Sequence, residues 1–198
     1  MFREEANRVS PSAKSTTREY ITSVHRLTVT ISYGKRRRLK ITLDDDGRVC
    51  AFAPKYMTLK EIDRFVEANY DWIVKHRAKL EEKTTLPFID PSEQRRRARI
   101  IKARTSAFLA VYDGKKPVRI TVRNMTTRWG SCSANGNISL NVHLLDVEPE
   151  LFEYVLIHEL SHLYHMNHSP LFWAQVAKYC PDYKKCRARL KDYRIPRK

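Results

Sequence analysis

The segment from Tyr154 to Trp173, Y-V-L-I-H-E-L-S-H-L-Y-H-M-N-H-S-P-L-F-W, constrains the fold more than any other part of the chain. His158, Glu159 and His162 form the pattern H-E-x-x-H, whose spacing has chemical meaning on a helix. Residues four apart share a helix face, so the two imidazoles can serve one metal ion while Glu159, one position round, handles a water. Leu151, Val155, Leu156 and Leu163 recur at helical spacing through the same region and predict that this helix is packed in a core. Glu148-Pro149 marks its start, because proline is tolerated in a first turn.

A hydrolytic metal site of this kind needs a third protein ligand and one position left for water. His165 and His168 are the candidates. On a continuing helix His165 would lie about 4.5 Å along the axis beyond His162, and three ligands in a straight row fit a tetrahedron badly. Met166-Asn167 reads as a helix end, and Ser169-Pro170 as the N-cap and first turn of the next helix. His168 therefore sits in a reversal that can swing its ring back towards the metal; it ranks first and His165 second. The spacing from His162 to His168 equals that of the signature H-E-x-x-H-x-x-G-x-x-H, with His165 in place of the glycine.

The remainder divides by pattern. Residues 1–18, poor in apolar side chains, predict a loosely ordered lead-in, followed by an N-terminal unit over 19–88. There Leu27, Val29 and Ile31, then Leu39, Ile41 and Leu43, then Val49, Ala51 and Ala53 alternate, with turn signals at Tyr33-Gly34-Lys35 and Asp45-Asp46-Gly47. A three-stranded antiparallel meander is expected. Thr58-Leu-Lys-Glu61 is a capping box that opens one helix to about Lys83, its inner stripe comprising Leu59, Ile62, Phe65, Val66, Trp72, Ile73 and Leu80. Thr84 to Asp90 reads as a connection. In the second unit, 89–198, Asp90-Pro91 starts a basic helix to about Tyr112, and two strands follow, around Val118–Val122 and Ile138–Val142. A basic terminal helix is expected from Tyr183 to Tyr193.

Charge and cysteine content narrow the function classes. The net charge of +16 is unevenly placed: residues 86–125 hold ten Lys/Arg against three Asp/Glu, whereas 126–177 hold only Arg128 against five acids. Basic flanks of this kind allow nucleic acid or a nucleotide as a partner. Cys50, Cys132, Cys180 and Cys186 have no C-x-x-C spacing, which speaks against a cysteine-based zinc site and for reduced thiols. No apolar run approaches the ~18 residues of a membrane span, and the start lacks a secretory core, so a cytoplasmic protein without membrane contact is expected.

The chain resembles the YgjP-like metallopeptidase-domain family, related to the SprT-like and WLM zincin-type proteins. The resemblance rests on Arg128-Trp-Gly-Ser-Cys-Ser133, Ile138-Ser-Leu-Asn141, Tyr154-Val-Leu-Ile-His-Glu-Leu-Ser-His-Leu163, Asn167-His-Ser-Pro-Leu-Phe-Trp173 and Pro181-Asp-Tyr-Lys184. It implies an α+β protein whose second half is a zincin-like catalytic domain, with His158, His162 and His168 as ligands of one Zn²⁺ and Glu159 as general base. The expected function is a zinc-dependent metallopeptidase acting on a peptide or protein. Two alternatives stand beside it: a pyrophosphatase-type nucleotide phosphohydrolase on the same site, and a basic nucleic-acid-binding module with a structural metal. Arg128 is a candidate for stabilising an oxyanion or holding a substrate anion, with a structural ion pair as the other reading. The strand over Ile138–Asn141 is expected to offer its edge to an extended peptide, as in zincins. Trp129 and Trp173 are read as packing residues, and Cys132 as a buried small residue rather than a thiol nucleophile beside His143.

Overall fold

The alternating segments of the N-terminal unit form strands, and their order differs from a meander. The computed structural model describes residues 15–21, 26–44 and 47–196. Within them β1 (Ser15–Ile21), β2 (Arg26–Gly34), β3 (Lys40–Leu43) and β4 (Val49–Pro54) make one sheet in the order β1-β2-β4-β3. The pairs β1/β2 and β3/β4 are antiparallel, but β2 and β4 run parallel, with Val29 opposite Val49 and Ile31 opposite Ala51. Gly34 remains in strand and has no positive φ, so no tight turn forms there. The next residues, three of them arginines, instead cross the end of the sheet over about 10 Å, two strand spacings. The tight connection comes at Gly47, whose φ of +73° glycine adopts without strain; Asp45 and Asp46 of that turn lie outside the described residues. Alternation specifies which side chains share a face, not which strand lies alongside. Leu27, Val29, Ile31, Val49, Ala51 and Ala53 are accordingly all buried in one core. The expected lead-in is also shorter: residues 15–18 belong to β1, and 1–14 lie outside the described residues.

The expected single helix is two, α1 (Leu59–Ala68) and α2 (Tyr70–Glu81). Thr58 and Glu61 form the capping box, with the Thr58 N–H donating to Glu61 Oε2 at 2.7 Å. Asn69 breaks the run because its side-chain amide donates to the Phe65 carbonyl at 2.8 Å and competes with the helix ladder. The break leaves Ile62, Val66 and Ile73 buried against the sheet, whereas Leu59, Phe65 and Trp72 are exposed.

The chain divides after Glu82 into two units. The second begins with β5 (Thr84–Thr85) and α3 (Pro91–Val111), whose N-cap Asp90 accepts the N–H groups of Ser92 and Glu93 at 2.7 and 3.0 Å. Three strands follow where two were expected: β6 (Arg119–Arg123), β7 (Gly130–Cys132) and β8 (Asn137–Asn141). Gly-Ser-Cys carries no β-branched or alternating signal, which is why β7 is silent in the sequence. The order is β6-β8-β7, with β6 parallel and β7 antiparallel to β8. The expectation that Ile138–Asn141 offers a sheet edge is thereby corrected: β8 is paired on both sides, and β6 and β7 are the edges.

A 3₁₀ turn over Val142–Leu145 leads to α4 (Pro149–Ser161), then α5 (Pro170–Tyr179) and α6 (Tyr183–Arg189). The terminal helix stops short of Tyr193, because Tyr193–Arg194 forms β9, parallel to β5. Nine of the thirteen α4 residues are buried, which makes it the central helix of the unit, packed against β7, β8, α5 and α6. Among the described residues no helix is long and apolar enough to cross a membrane.

An ionic network ties α3 to the turn before α4. Arg97 lies 2.8 Å from Glu93 and 2.7 Å from Asp146, which also accepts the Nδ1–H of fully buried His143 at 2.8 Å. Removing the shared carboxylate leaves the buried His143 ring without its partner and Arg97 with Glu93 alone. Asp146→Ala is expected to lower unfolding stability by about 3 kcal/mol in urea titrations; a loss below about 1 kcal/mol would show that the network does not carry this joint.

Candidate metal centre

His158 lies in the last turn of α4 and His162 is its C-cap. The helix tightens as it ends, with the N–H groups of Leu163 and Tyr164 donating to Leu160 and Ser161 at 3.1 Å. After the reversal Ser169 caps α5, its hydroxyl accepting the Phe172 N–H at 3.4 Å, with Pro170 in the first turn. His168 sits immediately before that cap. One ring nitrogen from each of His158, His162 and His168 lies within 4.8 Å of the others, and the Nε2 atoms of His158 and His168 are 3.1 Å apart. Two ligands about 2.05 Å from a tetrahedral ion sit roughly 3.3 Å apart, so the donor set fits a single ion. The ring of His165 is not in the cluster; instead its carbonyl accepts the Nδ1–H of His162 at 3.1 Å, leaving Nε2 of His162 as the free lone pair.

Burial and the two neighbouring imidazoles depress His158 to about 3, and burial lowers His162 as well, so both rings are neutral as ligands must be. His158 Nδ1 is buried without a partner, which leaves the polar bonding of that ring to Nε2. Phe172 supports all three rings, its centroid 4.9, 4.5 and 4.7 Å from those of His158, His162 and His168. On its other side His168 stacks on Trp173, which stacks on Tyr183 at 5.1 Å, with the Arg187 guanidinium 5.0 Å from the Trp173 ring. Trp173 thus packs, as expected, and what it packs is one of the three imidazoles.

The rings face a cavity of about 590 Å³ that also contains Glu159, Arg128, Gly130 and Cys132. Glu159 is 5% exposed, and burial pushes its carboxyl up to about 8 against the opposing pull of the Arg128 guanidinium. Gly130 is the residue the sequence reading missed. A Cβ there would lie 2.6 Å from Glu159 Oε1 and 2.7 Å from its Cγ, so only glycine lets β7 pass this closely over the carboxylate. Asn141, also missed, is fully buried and fully bonded: its amide donates to the carbonyls of Met125 and Arg128 at 2.7 and 2.8 Å, and its Oδ1 accepts the His143 N–H at 3.2 Å. It holds the segment before β7 and so fixes the backbone of Arg128. The Arg128 side chain is exposed and has no ion pair among the described residues. Cys132 lines the cavity with its thiol pushed up by burial, while His143 is engaged with Asp146, so the two form no nucleophile and base pair.

The sequence profile described as YgjP-like, metallopeptidase domain, matches residues 37–98 and 88–193. The chain belongs to the YgjP-like family. None of the curated proteins matches it significantly. Among solved structures, the metallopeptidase zymogen abylysin of Pyrococcus abyssi is similar at 26% identity, covering 50% of this chain and 98% of its own, with a TM-score of 0.39. The zymogen jannalysin of Methanocaldococcus jannaschii is similar at 19% identity over 47% of this chain and 92% of its own, with a TM-score of 0.36. The family's description is that of a metallopeptidase domain, and among the described residues the three imidazoles are the group suited to hold a metal.

Two outcomes follow from the contact between Gly130 and Glu159. Gly130→Ala is expected to displace the carboxylate and lower metal-dependent turnover by about 100-fold while metal content is kept; unchanged turnover would mean that the strand gives way instead. In metal-free protein, between about 4.5 and 8 the folded chain holds a Glu159 proton that the unfolded chain has lost, so this group lowers stability as pH rises across that window. Glu159→Gln should therefore match wild type near pH 4 and exceed it at pH 8, by a gain on the order of a few kcal/mol, in denaturant titrations of chelator-treated protein. A pH-independent difference would show that the carboxylate is solvated.

Proposed function

We propose that this YgjP-like chain is a zinc-dependent peptidase in which His158, His162 and His168 hold one ion and Glu159 is the general base. The observation that carries the reading is the convergence of three imidazole nitrogens on a cavity whose one buried carboxylate lies under the backbone of an edge strand. A neutral all-imidazole donor set suits zinc, which would supply Lewis acidity at a substrate carbonyl and a water acidic near neutral pH.

The roles of the chain's own residues follow from their places. Glu159 faces the cavity from a desolvated position; its carboxylate takes the proton of the attacking water and returns it to the leaving amine. The Arg128 guanidinium enters the same cavity without a carboxylate partner and is placed to stabilise the oxyanion or to hold a substrate anion. Among the described residues β7 has a strand neighbour only on the β8 side, so the N–H and C=O groups of its other edge can pair with an extended peptide. Family membership puts this reading ahead of nucleotide hydrolysis and of a nucleic-acid-binding module with a structural metal.

Metal analysis of protein purified without added zinc, together with turnover of a peptide panel and a nucleoside-triphosphate panel, tests the assignment. One equivalent of metal is expected in wild type and His165→Ala, and its loss in His168→Ala. Glu159→Gln should keep the metal and lose at least about 100-fold in peptide turnover. Wild-type turnover in Glu159→Gln, or hydrolysis of triphosphates with peptides untouched, would overturn the reading.

A further inference from the structure

A second cavity, of about 330 Å³, adjoins the metal cavity and shares His162 and Met166 with it. It is lined by the turn from Ser133 to Gly136 at the end of β7, by Leu163 and Tyr164 from the reversal after α4, and by Lys115 and Lys116. Its charge is one-sided. No carboxylate lines it, and among the described residues neither lysine has an ion-pair partner. Asp113, the acid nearest in sequence, is turned away, accepting from the Tyr179 hydroxyl at 2.6 Å and facing Lys178 at 3.7 Å.

Both ammonium groups are nevertheless held. Lys115 donates its backbone N–H to the Tyr164 hydroxyl at 2.7 Å, places its ammonium 4.7 Å from the centroid of that ring, and reaches the Leu163 carbonyl at 3.4 Å. Lys116 donates to the Leu109 carbonyl. Neutral acceptors of this kind satisfy one or two of the three donors of each ammonium and leave the charge unbalanced. The turn that lines the same cavity is fixed as well: Gly136 has φ +73°, and its carbonyl accepts the Val118 N–H at 2.9 Å.

The cavities succeed each other along β7. Gly130, Ser131 and Cys132 line the first, and Ser133 opens the second. At about 3.3 Å per residue, a peptide paired to this edge with its cleaved bond over the imidazoles presents a side chain to the second cavity within about two residues of that bond. We propose that the second cavity is a specificity subsite for a carboxylate of the substrate, held by Lys115 and Lys116. The proposal deepens the peptidase reading and rests on it for the orientation of the ligand. The carboxylate can come from an Asp or Glu side chain or from the peptide's own C-terminus.

The test uses the full chain as Glu159→Gln loaded with Zn²⁺, and measures affinity for acetylated peptides by fluorescence anisotropy. One arm compares amidated peptides that differ only by Glu or Gln at successive positions; the other compares neutral peptides with free or amidated C-termini. A carboxylate in one register is expected to tighten binding by roughly tenfold, and the arm that shows it names the source. Adding Lys115→Gln and Lys116→Gln should abolish the preference, and Lys116→Glu, which keeps a charged exposed residue there, should shift it towards lysine-containing peptides. Equal affinity in both arms, or a preference that survives the lysine substitutions, overturns the subsite. Wild-type cleavage of the same peptides indifferent to the carboxylate also sinks the subsite and leaves the peptidase standing; preference in binding with no wild-type cleavage of any peptide does the reverse.

Discussion

The close passage of β7 over the last turn of α4 is the contact on which the site depends. A side chain at Gly130 would collide with the Glu159 carboxylate and drive it out of the place it holds beneath the strand. With the strand in place, the Gly130 backbone lies against the buried Glu159 carboxylate, and that burial raises its proton affinity. Asn141 extends the constraint into the preceding loop by bonding two of its carbonyls, so the same arrangement that shields the carboxylate also sets where Arg128 begins. The central position of β8 in turn decides which strand is left with an open edge beside the imidazoles.

α4 is an unusual place for the ionisable side chains of His158 and Glu159, because nearly its whole circumference is buried. Putting His158 and Glu159 into such surroundings costs free energy unless their polar atoms are engaged. The position of His158 at the C-terminal end of the helix favours a cation held by its ring, whereas the same end opposes a charge on Glu159. The aromatic layer of Phe172, Trp173 and Tyr183 fixes ring orientation without offering a competing hydrogen-bond partner.

Much of the site was legible because its components are local. Helical spacing placed His158, Glu159 and His162, and the Asn167 to Pro170 reversal placed His168, since each depends on backbone rules acting over a few residues. The structure brings these four side chains to one cavity together with Arg128. What depended on distant pairing was not legible. Gly130-Ser131-Cys132 looks like a loop because strand character there comes from pairing with Ile138 to Leu140 rather than from its own side chains. The N-terminal sheet shows the same limit: alternation identified the buried faces of β2, β3 and β4, but the parallel pairing of β2 with β4 is a property of the crossing at Lys35 to Leu39. Asn69 divided a helix that apolar periodicity alone would have continued.

The three imidazoles belong to different stretches of chain, two to the end of α4 and one to the residue before the cap of α5. An ion shared among them would therefore act as a clasp, closing the eleven residues from His158 to His168 into a ring and fastening α5 to the helix before it. Metal loading and the fastening of this corner are then a single event. Losing that ion would also release the restraint on the exposed segment from Met166 to His168, so that the loss that empties the site would open its backbone to attack by others.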